Sequence, residues 1–311
     1  MNIGVLSDIH DRNNSLKIDG IDDLIKSILN TYVGDDNIDT FIIAGDIDEH
    51  PSRVIYFLKR FKILSNIENI IFIPGNHEHY IFNYPFMLNK KWDDQNYYSY
   101  LPKEYIKYEK LQLLTPFEKV TKLVEAINYE LGSFGVIATN DGKMFEIDDI
   151  SFSGTCGWYD GSYLEKKIEE KNGKGLFSGA FFMEKSKDVF FKENADSLYI
   201  LNPMDNPYYL WDAYYEDIIK NIDQADVIIT HIISSVDNDF IDEKFRGSDS
   251  NAFFTFNGME NLKKKNPKIV ISGHSHSFFD KTIEGIRYLR NPYGYPSEVS
   301  KSNPKIIIFN I

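Results

Sequence analysis

Phe41-Ile42-Ile43-Ala44-Gly45-Asp46 is an apolar run of strand length that ends in two small residues and a carboxylate. Similar runs, each followed by small residues or Pro-Gly and then by a side chain able to bind a metal, occupy residues 3–8, 70–76, 227–231 and 269–274. Continuous Val/Ile runs are typical of strands that are buried on both faces. The sequence therefore predicts five central strands, each with a polar residue at its end.

Helical patterns separate the first three of these runs. In each gap apolar residues recur at the spacing of one helical face; they are Ile21, Leu24, Ile25 and Ile28 in the first gap, and Val54, Phe57, Leu58 and Phe61 in the second. This alternation predicts an α/β fold with an open sheet. Ligands of such sheets gather beyond the carboxyl ends of the strands, so we expect the five polar residues to converge on one pocket.

The middle of the chain, from about residue 84 to 222, is less regular. Thr115-Pro116-Phe117-Glu118 predicts a helix start with a capping box, and Gly132 predicts the end of that helix. Asn140-Asp141-Gly142, between residues 136–139 and 143–147, predicts a hairpin turn and with it a second sheet. We interpret residues 1–311 as a single domain, in which approximately residues 84–222 contain insertion or cap elements and part of the second sheet.

The composition excludes several classes of protein. Hydrophobic residues at 42% and charged residues at 26% exclude a disordered or membrane-embedded chain. No apolar stretch reaches bilayer length, and Asp8 stands where a secretory signal would be apolar, so we expect a cytoplasmic protein with no membrane partner. A single cysteine, Cys156, excludes an intrachain disulfide and a thiolate zinc cluster.

The charge balance bears on the possible partners. Lys and Arg number 34 against 47 Asp and Glu, which gives a net charge of −13. Such a chain is poorly suited to hold a nucleic-acid backbone by counterion release, so nucleic acid is not favoured. A local site for cations remains compatible with this excess of carboxylates.

Histidines cluster at the predicted strand ends. Five of the seven lie at or within two residues of these ends, and three oxygen-bearing side chains stand in matching places; the eight residues are His10, His77, His231, His274, His276, Asp8, Asp46 and Asn76. Imidazoles mixed with oxygen ligands suit Mn, Fe, Zn or Ni better than Ca, and the absence of thiolates disfavours a structural zinc site. The sequence therefore predicts a transition-metal site at the sheet edge.

Five sequence blocks resemble the signature of the calcineurin-like metallophosphoesterase superfamily, D-x-H, G-D, G-N-H-E/D, H and G-H-x-H. The blocks here are Asp8-Ile9-His10, Gly45-Asp46, Gly75-Asn76-His77-Glu78, His231 and Gly273-His274-Ser275-His276. All five are present, in order, across nearly the whole chain. The resemblance implies a four-layer α/β/β/α sandwich of the metallophosphatase type, with an irregular, partly helical insertion over the pocket.

The resemblance also implies a centre of two divalent transition-metal ions, with Mn expected first and Fe, Zn or Ni as alternatives. One ion would be held by Asp8, His10, Asp46 and His276, and the second by Asp46, Asn76, His231 and His274. Asp46 would bridge the pair, because two cations about 3.5–4 Å apart repel unless anionic oxygens lie between them. A hydroxide that bridges the metals would be the nucleophile.

His77 follows a ligand but is not assigned as one. The resemblance places it near the leaving-group oxygen, as a general acid or as a charge-stabilising donor. A carboxylate often orients such a histidine, and Asp48 and Glu49 are the candidates. The predicted catalytic residues are therefore His77, Asp46 and Asn76.

The predicted activity is metal-dependent hydrolysis of a small phosphomonoester or phosphodiester. The family's protein phosphatases carry an arginine after the Gly-Asp block, and this chain has His50 in its place, which weakens that interpretation. Two alternatives stay open: a non-catalytic scaffold for protein interaction, which the complete ligand blocks disfavour, and a nuclease of the same superfamily, which the acidic balance disfavours. The sequence names neither the physiological substrate nor the oligomeric state.

Overall fold

The strands form the frame of the molecule. The computed structural model describes residues 1–15, 20–31, 37–81, 101–200, 206–302 and 305–311. Within these ranges the strands, numbered in chain order, are β1 (Asn2–Leu6), β2 (Thr40–Ala44), β3 (Asn69–Ile73), β4 (Val136–Ala138), β5 (Phe145–Ile147), β6 (Ile150–Thr155), β7 (Val227–Thr230), β8 (Ile269–Ser272), β9 (Phe279–Ile283), β10 (Ile286–Arg290) and β11 (Ile307–Asn310).

Helices connect and cover these strands. The α-helices of the described chain are Asp11–Ser15, Ile21–Asn30, Pro51–Ser65, Pro116–Leu131, Ser162–Asn172, Gly179–Glu193, Asp196–Tyr199, Glu216–Lys220, Met259–Lys263 and Pro296–Ser302. A π-helical turn, Trp211–Tyr215, leads into Glu216–Lys220, and the longest 3-10 segment is Lys103–Leu113. Among the helices of these ranges, none has the length and apolar character needed to cross a bilayer.

The strands form two mixed sheets. The strand order is β11-β1-β2-β3-β4 in the first sheet and β5-β6-β7-β8-β10-β9 in the second. Strands β1 to β4 pair in parallel, and β11 lies antiparallel beside β1. In the second sheet β6, β7, β8 and β10 pair in parallel, with β5 and β9 antiparallel at the edges. Because neighbouring central strands are parallel, the carboxyl ends within each sheet lie along one edge.

The two sheets pack face to face between helical layers. Alternate residues of the central strands fill the space between the sheets, among them Val5, Ile42, Ile71, Ile229 and Ile271. The outer face of the first sheet packs on the helices Ile21–Asn30, Pro51–Ser65 and Pro116–Leu131. The outer face of the second packs on Met259 and Leu262 of a short helix. These layers confirm the predicted α/β/β/α sandwich.

The local predictions around the first sheet are confirmed. The expected apolar faces of the helices Ile21–Asn30 and Pro51–Ser65 are buried. The helix Pro116–Leu131 begins with a capping box formed by Thr115 and Glu118, and Gly132 is its C-cap. These elements follow from helical periodicity and from side chains that satisfy the free amides of a helix start.

The predicted hairpin at Asn140-Asp141-Gly142 is wrong. Strand β4 pairs in parallel with β3 of the first sheet, whereas β5 pairs with β6 of the second. The turn carries the chain between the sheets, and the side-chain oxygen of Asn140 accepts from the amide of Cys156 at 2.7 Å. Pairing with β3 covers an edge that would otherwise expose unpaired backbone groups, and it buries Val136 and Ala138.

The region between β6 and β7 forms a partly helical insertion beside the second sheet. Its helices Ser162–Asn172 and Gly179–Glu193 surround a cluster of buried aromatic side chains that includes Trp158, Tyr159, Phe190, Tyr208 and Tyr215. Residues 84–100 and 201–205 of the predicted 84–222 region lie outside the described residues. The insertion supplies one wall of the cavity at the strand ends.

Candidate metal centre

Strand ends from both sheets meet at one site. Asp8, Asp46 and Asn76 follow β1, β2 and β3, and His231 and His274 follow β7 and β8. All five side chains are buried. The Nε2 atom of His231 lies 3.4 Å from Oδ2 of Asp46, so a residue of the second sheet contacts one of the first. The structure therefore brings the predicted strand-end residues together.

One group of possible metal ligands consists of Asp8, His10 and His276, whose donor atoms lie within 4.8 Å of one another. The Nε2 atoms of His10 and His276 are 2.9 Å apart, and Nε2 of His276 lies 3.5 Å from Oδ1 of Asp8. Nδ1 of His276 faces Oε2 of Glu298 at 2.7 Å. Such a carboxylate fixes the hydrogen on Nδ1 and leaves Nε2 able to bind a metal.

A second group consists of Asp46, His231 and His274. The side-chain oxygen of Asn76 lies beside it, 2.9 Å from Nε2 of His231 and 2.9 Å from Nδ1 of His274. Asp46 also belongs to a third group, with His10 and His77. Its carboxylate therefore lies where the two predicted ligand sets meet.

Two histidines of the site each hydrogen-bond to a backbone carbonyl oxygen through one ring nitrogen. Nδ1 of His231 lies 2.8 Å from the carbonyl oxygen of Ala44, and Nε2 of His274 lies 2.9 Å from that of Phe253. A carbonyl oxygen only accepts, so in the neutral ring each of these nitrogens carries the hydrogen. Because His274 is neutral, its opposite nitrogen, Nδ1, is an acceptor that faces the oxygen of Asn76. Two hydrogen-bond acceptors repel each other unless a cation binds both. An imidazole nitrogen and an amide oxygen are ligand atoms that fit a divalent transition metal.

Asp196 orients the amide of Asn76. The Nδ2 atom of Asn76 donates to Oδ1 of Asp196 at 2.9 Å. The same carboxylate accepts hydrogen bonds from the hydroxyls of Tyr80 at 2.5 Å and Tyr159 at 3.1 Å. Because the carboxylate binds the amide nitrogen, the amide oxygen must point the other way, toward the two histidines.

Burial and neighbouring charges shift the pKa values in the site. Burial opposes a charge on His231, but Asp46 raises the pKa of this ring to about 9. Burial and the adjacent His231 lower the pKa of His274 to about 3. Burial opposes ionisation of Asp46, but His231 and His77 hold its pKa well below the usual value. Asp46 is therefore ionised and His274 neutral, the states in which both side chains bind metals.

Glu49 orients His77. The Nδ1 atom of His77 lies 3.2 Å from Oε1 of Glu49, and its Nε2 lies 3.8 Å from Oδ2 of Asp46. Asp48, the other candidate, binds Nε of Arg53 at 3.2 Å instead. Burial opposes a charge on His77, but Asp46 and Glu49 raise its pKa to about 10. The imidazole is thus held on one side by a carboxylate and lines the cavity beside Asp46.

Glu78 ties two loops of the site together. Its buried carboxylate accepts hydrogen bonds from four backbone amides, those of Gly75 at 2.6 Å, Ile47 at 2.7 Å, Asp46 at 3.0 Å and Asp48 at 3.2 Å. Burial and the nearby Asp46 raise the pKa of Glu78 to about 7. One carboxylate therefore fixes the loop after β2 against the loop after β3.

The backbone is left-handed at five of the predicted ligands. The φ angles are 55° at Asp8, 46° at His10, 59° at Asp46, 72° at His274 and 47° at His276. Residues other than glycine rarely adopt this conformation, and such residues cluster at functional sites. These positions lie within four residues of a strand end, and their side chains meet at the centre.

Two glycines allow the strand ends to approach each other. A methyl group at Gly45, where φ is 88°, would lie 2.3 Å from Nδ1 of His231. A methyl group at Gly75 would lie 2.2 Å from Oδ1 of Asp46. Both distances are far below van der Waals contact, so the Gly-Asp and Gly-Asn blocks need glycine at these positions.

A cavity of about 350 Å³ opens over the centre. Its inner end is lined by Asn76, His77 and His274, among others, and its outer walls come from the insertion and from residues 233–255. Tyr295 also lines it, and its ring stacks on that of His10 with centroids 4.1 Å apart. The sequence motifs assign no role to Asp196 or Glu298, because each reaches the site through tertiary contacts that no short motif encodes.

The family model described as calcineurin-like phosphoesterase matches residues 1–278. The chain therefore belongs to the calcineurin-like phosphoesterase family and is a metal-dependent hydrolase of phosphoester bonds. This confirms the family resemblance inferred from the five sequence blocks. None of the curated proteins compared with the sequence matches it.

A solved structure shares the fold of this chain at low sequence identity. The phosphopantetheinyl hydrolase PptH from Mycobacterium tuberculosis is 16% identical, with 98% of this chain and 95% of that chain covered and a TM-score of 0.60. A structure described as a novel archaeal phosphodiesterase is 17% identical, with 100% and 93% covered, but its TM-score of 0.35 is too low to support an argument. At 16% identity the likeness to PptH concerns the fold alone.

Proposed function

We propose that this enzyme hydrolyses a small phosphomonoester or phosphodiester at a centre of two divalent transition-metal ions. The observation that carries the proposal is the contact between Nδ1 of His274 and the side-chain oxygen of Asn76, two acceptors held 2.9 Å apart. A cation bound to both atoms removes their repulsion. Mn is the metal that we expect first, with Fe, Zn or Ni as alternatives, because the donors mix imidazoles with oxygens.

The ligands divide into two sets that share one carboxylate. The first ion is held by Asp8, His10, Asp46 and His276, and the second by Asp46, Asn76, His231 and His274. When bound, two such ions supply hydroxide as the nucleophile near neutral pH and neutralise charge on the phosphoryl oxygens. Asp46 offsets the repulsion between the ions, and its place in two ligand groups supports this role. The amide of Asn76 adds an oxygen without adding negative charge.

His77 donates the proton to the leaving-group oxygen in this proposal. Its side chain lines the cavity beside Asp46 and Asn76. Because Nδ1 faces the carboxylate of Glu49 at 3.2 Å, it carries a hydrogen, and Nε2 is the atom that takes up and releases a proton. His77 thus has the orientation that a general acid requires.

A nuclease is the weaker candidate. The carboxylates of Glu193, Asp242 and Glu298 line the cavity, and the net charge of the chain is −13. Both features oppose the approach of a polyanionic backbone. The non-catalytic scaffold does not agree with membership of a hydrolase family in a chain whose ligand blocks are complete.

Metal removal tests the proposed function. We expect a chelator to abolish hydrolysis of nitrophenyl phosphate or bis(nitrophenyl) phosphate, and we expect Mn but not Ca to restore it, because imidazole ligands disfavour Ca. Elemental analysis of the restored protein should give two ions per chain. Circular dichroism of the stripped protein checks that the fold persists. Full activity after complete metal removal would exclude the proposed centre.

Substitution of Asp196 tests how the amide of Asn76 is oriented. Asp196→Leu removes the acceptor of the amide hydrogens, so we expect affinity for the second ion to fall about 10–100-fold, the range for partners of metal ligands. Calorimetric titration with Mn measures this change. Tyr159→Phe is the matched control, because it removes a hydrogen bond from the same carboxylate but leaves its contact with Asn76. Equal Mn affinity in Asp196→Leu and the unmodified protein would show that the orientation does not depend on Asp196.

A further inference from the structure

The cavity extends well beyond the predicted metal ligands. Its volume of about 350 Å³ lies in the range of sites for small organic ligands and exceeds the space that a phosphoryl group occupies. From His77 and His274 it runs outward to Glu193 at the end of the helix Gly179–Glu193, and to residues 241–255. With a phosphoryl group at the centre, the rest of the substrate lies in this outer part.

The outer part has an apolar wall. Ile233 and Ile241 are buried and line it, as does Phe254, whose ring lies against His274 with centroids 4.7 Å apart. Phe245 lines the same part and keeps 48% of its surface exposed. An apolar leaving group would pack against the buried side chains and would remove the exposed surface of Phe245 from water, which favours its binding.

The charged groups of the outer part are mostly acidic. Among the residues that the structure describes, Glu193 and Asp242 line it together with one lysine, Lys244. The ammonium of Lys244 lies 3.4 Å from Oδ2 of Asp242, so these two groups form an ion pair. With Lys244 paired to Asp242, the described residues offer a second phosphate on the substrate the carboxylate of Glu193 and little compensating positive charge.

We propose that the outer cavity selects phosphoesters whose leaving group is uncharged and largely apolar, and that it rejects those carrying a second phosphate. The inference rests on the proposed function and adds to it the chemical class of the leaving group. Ile233, Ile241, Phe245 and Phe254 bind the apolar group. Glu193 excludes the second anion, because Asp242 is paired with Lys244.

A matched pair of unreactive ligands tests the selection. Phenylphosphonate and 1,4-phenylenebisphosphonate share one ring and one phosphonate, and only the second carries another anion at the far end. Calorimetry on the Mn-loaded protein should show that the bisphosphonate binds at least about tenfold more weakly, and 2-naphthylphosphonate should bind more tightly than phenylphosphonate. Hydrolysis of the corresponding phosphate esters should follow the same order in kcat/KM.

A charge-reversal variant, Glu193→Lys, tests whether the carboxylate of Glu193 causes the weaker binding of the bisphosphonate. Glu193→Lys places a cation in the outer cavity, so the difference in affinity between the two ligands should shrink severalfold. Glu184→Lys is the matched control, since Glu184 is exposed on the same helix but does not belong to the cavity lining. Phe245→Ala should weaken binding of 2-naphthylphosphonate more than that of phenylphosphonate.

The outcomes separate this inference from the proposed function. Equal or tighter binding of the bisphosphonate, or an equal effect of Glu193→Lys and Glu184→Lys, would overturn the inference while the metal-dependent activity stands. A protein that binds neither Mn nor any of the phosphonates would overturn the proposed function and the inference together. The inference is supported if the bisphosphonate binds more weakly than phenylphosphonate and if Glu193→Lys, but not Glu184→Lys, reduces this difference.

Discussion

Asp46→Asn should lose both metal ions and, with them, hydrolysis of every phosphoester. The carboxylate of Asp46 belongs to two groups of possible ligands and lies 3.4 Å from Nε2 of His231. A neutral amide cannot offset the repulsion between two cations as a carboxylate does. The loss of activity should exceed the roughly 10–100-fold loss that follows removal of a hydrogen-bond partner of a metal ligand. Elemental analysis and hydrolysis of nitrophenyl phosphate measure the two effects.

Two further variants sharpen this prediction. Asp8→Asn should mainly empty the first site, because Asp8 belongs to one ligand group only. Asp149→Asn is the control for the chemical change, since Asp149 is exposed and shares with Asp46 a left-handed backbone, with φ of 63° against 59°. Two tightly held ions in Asp46→Asn would show that this residue does not bridge the metals.

His77→Ala should keep near-normal metal content and lose about 10²–10⁴-fold in turnover, the range for a general acid. The loss should depend on the leaving group. Nitrophenolate leaves without protonation, so the defect should be small for its ester, whereas it should be near its largest for an alkyl ester. Parallel measurement of kcat on both esters, with metal analysis, makes the comparison.

His50→Ala provides the control for removal of a neighbouring imidazole. His50 lies on the loop that carries Glu49, but its Nδ1 is paired with Glu109 at 2.8 Å, so we expect turnover to change little. An equal loss on both esters in His77→Ala would indicate stabilisation of transition-state charge in place of proton transfer. Loss of the metals in the same variant would identify His77 as a structural residue.

The central sheets and the ligand sets could be predicted because their determinants are local. An apolar run ending in Gly-Asp specifies a buried strand and a metal-binding side chain within six residues, as residues 41–46 show. Parallel pairing then places such ends on one edge of a sheet. The seven predicted ligands lie together for this reason, although their roles as ligands remain predictions.

The supporting residues could not be predicted because their contacts are not local. Asp196 reaches Asn76 across 120 positions, and Glu298 reaches His276 across 22. The hairpin prediction failed on the same ground. Asn140-Asp141-Gly142 does form a turn, but the partner of the preceding strand is set by the free edge of β3 and not by the turn. Local propensity specifies a bend in the chain, whereas the strand partner depends on the assembled sheet.

The left-handed backbone at Asp8, His10, Asp46, His274 and His276 lowers the stability of the fold at the positions that are predicted to bind the metals. A non-glycine residue in this conformation costs roughly 1–2 kcal/mol, so the five together hold conformational energy comparable to the margin by which small proteins stay folded. Glycine at any of them would relax the chain and remove a ligand. Selection of variants for thermal stability alone would therefore enrich inactive proteins that have lost ligands. Selection in saturating metal would favour variants that keep the ligands, because bound ions stabilise only the intact centre.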